Sequence, residues 1–259
     1  MRKIADTFNG FFEVLEANTA ELKNIAFSIR HSVYCEELTW EKKNQQKLEI
    51  DLHDEFAHHF LMKHKATGEF VGCIRYVINQ DDGISLPLRK FFPDAPLSIS
   101  LTSAGEVSRA AVLSTFRRRK SEKGIPVSLS PSEGKDEITA QLGSFPYIAL
   151  GLYMCAAACA KKLSKDGLYM VVEPKLRKQL GIFGINLTQV GAEVDFKGKR
   201  ALYFLSVDDL GKSALPSKVY DLFSNICNKL YGGELEVDKK EQIEFLLCGD
   251  DFIETKVNE

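Results

Sequence analysis

Apolar residues fall along this chain in short runs whose spacing changes from segment to segment. Residues 11–17, FFEVLEA, predict a short strand. Asn18 and Thr19 follow it and suit the cap of a helix. In that helix Leu22, Ile25, Ala26, Ile29 and Val33 recur at helical spacing, and Arg30 lies beside the apolar face near its C-terminal end. Residues 40–48 are polar and lysine-rich and read as a loop, and 51–55 are acidic. A hairpin follows, with strands at 59–63 and 70–78 and Gly68 in the turn. Residues 84–98 hold three prolines and read as irregular, and 106–113 read as a strand. The stretch 116–139 has no hydrophobic period and reads as a long loop. An Ala- and Leu-rich helix is predicted over 145–163, a buried strand over 168–172, and a helix opening on Pro174. Strands at 191–196 and 201–207 form a last hairpin across Lys197-Gly198-Lys199.

Strand, helix, hairpin, strand, helix, strand, helix, hairpin is the order of an α/β protein with a mixed sheet and helices packed on it. The pattern changes near residue 211. Ser217 then caps a helix with Val219, Leu222, Phe223, Ile226 and Leu230 on one face. The expected organisation is one domain over 1–210 and a C-terminal helical extension over 211–259 packed on it.

Composition narrows the function more than the fold. A net charge of −2 argues against non-specific nucleic-acid binding. No apolar run is long enough to span a bilayer, and the opening MRKIADTFNG does not read as a signal peptide, so a cytoplasmic location is expected. Six cysteines spread over the chain read as thiols. Cys155 and Cys159, one helical turn apart, read as small apolar residues of a helix, and His53, His58, His59 and His64 match no standard metal spacing. No metal is expected.

The chemistry lies in an ordered set: Arg30, Tyr34, Trp40, Glu49, Asp51, Asp54, Arg75, Glu106 and Arg109. Its local motifs are Arg30-His31-Ser32-Val33-Tyr34, Trp40, Asp51-Leu52-His53-Asp54, Gly72-Cys73-Ile74-Arg75 and Glu106-Val107-Ser108-Arg109. With these motifs the chain resembles the acyl-homoserine-lactone synthase family, a branch of the N-acetyltransferase-like (GNAT) fold. The strings FFEVLEANTAEL and IRHSVYCEEL are similar to those of acyltransferases associated with PEP-CTERM/exosortase systems, which resemble long-chain N-acyl amino acid synthases. The resemblance covers roughly residues 8–210.

It implies a GNAT fold with helices on both faces of a central mixed sheet. It also implies transfer of a long-chain fatty acyl group from an acyl-carrier protein or acyl-coenzyme A to an amine, with no bound cofactor. Transfer to an amine needs a neutral amine, so Glu106 is the candidate base or water-holder. Arg109 and Arg75 are candidates for charge at the tetrahedral oxyanion. The resemblance places Arg30, Tyr34 and Trp40 on the acceptor side and has Asp51 and Asp54 hold a loop through arginine pairs. An ion pair of Glu106 with Arg109, a helix-capping or loop-fixing pair of Asp51 and Asp54, plain core packing of Trp40 and a solvated charge run at Arg117 to Lys120 are the structural alternatives. The Gly-rich pyrophosphate signature of ordinary acetyltransferases is absent after the Glu106 strand. A basic run, Arg117, Arg118, Arg119 and Lys120, stands there instead and suits an acidic acyl-carrier protein. An autoinducer synthase using S-adenosylmethionine, and a non-catalytic lipid-binding module, are the alternative functions.

Overall fold

The computed structural model describes residues 4–79, 85–95, 97, 100–117, 147–211 and 217–232. The first helix, α1 (Ile4–Phe11), was not expected from the sequence, because only Ala5 and Phe8 bury fully along it. The Thr19 side chain accepts from the Leu22 N–H and starts α2 (Ala20–Arg30). α2 runs on into a π-helical turn, His31–Glu37, closed by the Leu38 N–H on the Val33 carbonyl. Strands β1 (Phe12–Glu16), β2 (Ala57–His64), β3 (Phe70–Val77) and β4 (Ala104–Val112) form an antiparallel run. The β2–β3 turn uses Gly68 at φ +72°, a backbone region that favours glycine.

Helix α3 (Tyr147–Lys162) returns the chain so that β5 (Gly167–Val172) lies parallel to β4. Pro174 opens α4 (Pro174–Gly181) at its first turn. Then come β6 (Thr188–Gln189), β7 (Val194–Asp195), β8 (Lys199–Ser206) and α5 (Val207–Gly211). The expected strand at 191–196 is reduced to the two residues of β7, paired with Lys199 and Arg200 across the Phe196–Gly198 turn. Among the described residues the sheet order is β1-β2-β3-β4-β5-β8-β6, with β7 beside β8.

Alternation along β2 sorts the two faces. Phe60 and Met62 pack with α3, whereas Leu61 packs with Ala26 and Ile29 of α2. Helices therefore cover both faces. α3 is buried along nearly its whole length, between the sheet and helices α1 and α6 (Ser217–Tyr231). Its small residues serve close approach: a Cβ on Gly151 would lie 2.4 Å from the Phe8 ring. Cys155 and Cys159 are buried thiols of this helix. Residues 233–259 of the expected extension lie outside the described residues. Among the described residues no helix is long and apolar enough to cross a membrane.

Candidate functional site

The site forms where one strand leaves its neighbour. β4 registers with β5 only from Ala104 to Val107, although both strands continue. Beyond that point β4 follows β3 alone, and its pairing changes: Arg75 opposes Ser108, but Cys73 opposes Ala111. Three steps on β4 thus match two on β3, a β-bulge. Arg109 sits in it at φ 52°, in the left-handed region. A cavity of about 600 Å³ opens at this divergence on the α2 face, with Glu106, Val107, Ser108 and Arg109 along β4 and Val171 on β5.

In the cavity wall and behind it three guanidinium groups meet three carboxylates. Arg30 is buried and donates from Nε to Glu49 at 2.5 Å and from Nη1 and Nη2 to Asp54 at 2.6 and 3.0 Å. Arg75, equally buried, donates to Asp51 at 2.6 and 2.9 Å, to Asp54 at 2.6 Å and to the Ser108 hydroxyl at 2.9 Å. Arg109 reaches Glu49 at 3.0 Å and Asp51 at 3.1 Å. Charges this deeply placed survive because each is paired and multiply hydrogen-bonded. Asp51 and Asp54 are fixed in turn by a capping box, in which Asp51 accepts from the His53 N–H and Asp54 accepts from the Asp51 N–H.

Protonation follows from this frame. Burial alone would raise the Asp54 carboxyl, but the bonds and charges of Arg30 and Arg75 outweigh it and hold Asp54 well below the usual carboxylate range. His59 lies against Asp54 and is driven down by burial to about 4, so it is neutral at pH 7. Glu106 is the exception. Burial pushes its carboxyl up to about 8, and the Leu88 N–H, bonded to Oε2 at 2.6 Å, pulls the other way without offsetting it. Arg109 does not pair with it; the expected alternative of a Glu106–Arg109 ion pair is replaced by the pairs of Arg109 with Glu49 and Asp51.

The aromatic wall comes from the π-helical turn. Tyr34 donates its hydroxyl to the Ala110 carbonyl at 2.7 Å. Its ring stacks on Trp40 with centroids 6.0 Å apart, and the Arg109 guanidinium lies 5.7 Å from the Tyr34 centroid. Tyr34, Trp40, Asp51, Arg75, Glu106 and Arg109 all line the cavity. Arg30 and Asp54 stand behind its wall, with Arg30 engaged by Glu49 and Asp54. Arg117 pairs with Glu37, and Arg118, Arg119 and Lys120 lie outside the described residues. The histidines do not converge: His58 bonds Glu16, His59 faces Asp54 and His64 bonds Thr67.

Several contributors escaped the sequence reading. Glu49 belonged to the ordered set but had no role, and it bridges Arg30 and Arg109. Lys197 read as a turn residue and Arg200 fell between that turn and the last strand, yet both line the cavity beside Trp40. Their signal was two cations flanking a hairpin turn, which alone does not distinguish a site from a solvated edge.

Comparison with known proteins agrees with this architecture. Residues 29–126 match the acetyltransferase (GNAT) domain family. The AHL synthase LasI superposes with a TM-score of 0.56 at 16% identity, over 81% of this chain and 93% of its own. The fold is that of the GNAT-like acyltransferases. BjaI, a CoA-dependent acyl-homoserine lactone synthase with SAM and isopentyl-CoA bound, gives a TM-score of 0.55 at 14% identity, over 83% and 89% of the two chains. FeeM, an N-acyl amino acid synthase from uncultured soil microbes, gives 0.50 at 15% identity, over 76% and 90%. No curated protein matches the chain in sequence.

Proposed function

We propose that this GNAT-like protein is an N-acyltransferase that moves a fatty acyl group from a carrier thioester to the amine of an amino acid or a related small molecule. The observation that carries the reading is Glu106: a buried carboxyl, titrating near 8, on the strand that leaves its neighbour and facing the cavity. Its proton affinity suits a group that takes a proton from an amine near neutral pH. The amine nitrogen attacks the thioester carbonyl carbon, a C–N bond forms and the C–S bond breaks. The amine proton passes to Glu106, directly or through water, and the departing thiolate is protonated, leaving an amide, a free thiol and the enzyme unchanged. Arg109, on the bulge, is the cation positioned to favour the oxyanion; Arg75 fixes Ser108 and the Asp51 loop beneath it.

The donor is an acyl-carrier protein or acyl-coenzyme A. The basic run Arg117 to Lys120 is the proposed contact for an acidic carrier protein, and the string similarity to exosortase-associated acyltransferases belongs to the same reading. Likeness of fold to LasI and BjaI favours one second reading, acyl-homoserine-lactone formation. Both are tested by mass spectrometry of lipid extracts after incubation with long-chain acyl-carrier protein or acyl-coenzyme A, an amino-acid pool and S-adenosylmethionine. An N-acyl amino acid supports the first reading and a homoserine lactone the second. No product with either donor sinks the enzymatic reading and leaves a lipid-binding module.

A further inference from the structure

One wall of the cavity carries positive charge that the network behind it does not neutralise. The β7–β8 turn holds Lys197 at φ 54°. Its ammonium donates to the Trp40 carbonyl at 3.0 Å and to Glu41 at 2.8 Å, and lies 5.4 Å from the Trp40 ring centroid. Arg200, at the start of β8, sets its guanidinium 5.2 Å from the same ring. Its nearest carboxylate is Glu173, at 3.9 Å and half exposed. Its Nε is buried without a hydrogen-bond partner among the described residues. Arg30, Arg75 and Arg109 by contrast hold their nearest carboxylates at 2.5–3.0 Å. Nε itself is closed to the cavity, but the guanidinium lines it with its nearest carboxylate 3.9 Å away, so an oxyanion entering the cavity gains a charge-assisted partner there.

We propose that Arg200, steadied by the Trp40 ring, receives a carboxylate of the acceptor, so that the acceptor is an amino acid rather than a simple amine. The inference rests on the function proposed above and sharpens it. A planar guanidinium takes a planar carboxylate through two parallel bonds, and the ring beneath Arg200 fixes its plane. Arg200 and Glu106 line the same cavity, so one small molecule with a carboxylate and an amine has a partner for each. A phosphate of the donor shares the oxyanion chemistry, and the test separates the two sources.

The test is isothermal titration of N-dodecanoylglycine and N-dodecanoylglycinamide, which differ only in the carboxylate, into the wild-type protein. The carboxylate form is expected to bind about 10- to 100-fold more tightly, as a charge-assisted pair gives. In Arg200→Met that ratio is expected to collapse to within about threefold, and Arg200→Lys to recover part of it. Equal affinities in the wild type, or no binding of either compound, overturn the subsite; this arm needs no variant to fold. Weaker binding of coenzyme A by Arg200→Met, with the ratio of the two N-acyl compounds unchanged, gives Arg200 to the donor phosphate and also overturns it. Product binding does not depend on turnover. Transfer to amines without carboxylate discrimination therefore sinks this inference alone, whereas absence of transfer sinks the proposed function.

Discussion

Replacing Glu106 with glutamine keeps the shape of a buried side chain and removes its titration. In the wild type the carboxyl moves from 4.5 when exposed to about 8 when folded. Between those values the folded protein holds a proton that the unfolded chain has released, so wild-type stability falls as pH rises through that window and levels off above about 8. At about 1.36 kcal/mol per pH unit the full cost is roughly 5 kcal/mol, of which about 3 kcal/mol accrues between pH 6 and pH 9. Glu106→Gln carries no such cost. Its stability relative to wild type should therefore improve by about 3 kcal/mol over that interval, whatever the constant effect of the amide. Urea unfolding of both proteins at pH 6 and pH 9 measures this directly. In parallel, wild-type kcat/KM should rise with pH and level off above about 8, and the variant should lose about 10²- to 10⁴-fold in turnover. A stability difference that does not change between pH 6 and pH 9 would refute the claim that burial holds a proton on Glu106. A pH-dependent difference with unchanged turnover would keep the electrostatics and remove Glu106 from the chemistry.

Three further outcomes follow from the same geometry. Arg75→Met leaves Asp51 and Asp54 without a shared cation and should cost about 3–5 kcal/mol in urea unfolding, with Arg75→Lys restoring only part because it cannot span both carboxylates. Gly105→Ala places a Cβ 2.5 Å from the Val77 carbonyl and 2.6 Å from the Tyr76 ring, next to Glu106; a loss of about 1–3 kcal/mol is expected by thermal unfolding, and an unchanged Tm would mean the strand yields there. Trp40→Ala removes the ring beneath Lys197 and Arg200 and should raise the acceptor KM by about 3- to 30-fold, as loss of cation–π support gives, while donor KM stays constant in steady-state assays.

Much of the fold was legible because local chemistry and tertiary packing agree. Thr19 caps α2, Gly68 turns the β2–β3 hairpin and Pro174 opens α4 where the sequence placed them. α1 was not legible, because its buried positions are few and the helix is held by packing on α3 and α6 rather than by a continuous stripe. The charged residues of the site could be gathered from the sequence, but their pairing could not. Arg109 and Glu49 lie 60 positions apart, and Lys197 and Glu41 lie 156 apart. Spacing carries no information over such distances; the sheet supplies it. The partner of Glu106 was hidden for another reason, since it is the backbone N–H of Leu88 in a turn where the side chain gives no sign of donating.

The bulge at Arg109 works as a phase shift within a single strand. Glu106 and Arg109 differ by an odd number of positions, so strict alternation would turn them to opposite faces; the extra residue brings both to the cavity while Ala111 still meets Cys73 under α2. Upstream of it β4 serves the reaction chamber, and downstream of it the same strand serves the core. The number of residues between Ser108 and Ala111 is thus a structural quantity in its own right. Deleting one of them without changing any other side chain would turn one half of the strand over, and a single missing codon there would do more damage than most substitutions at the same positions.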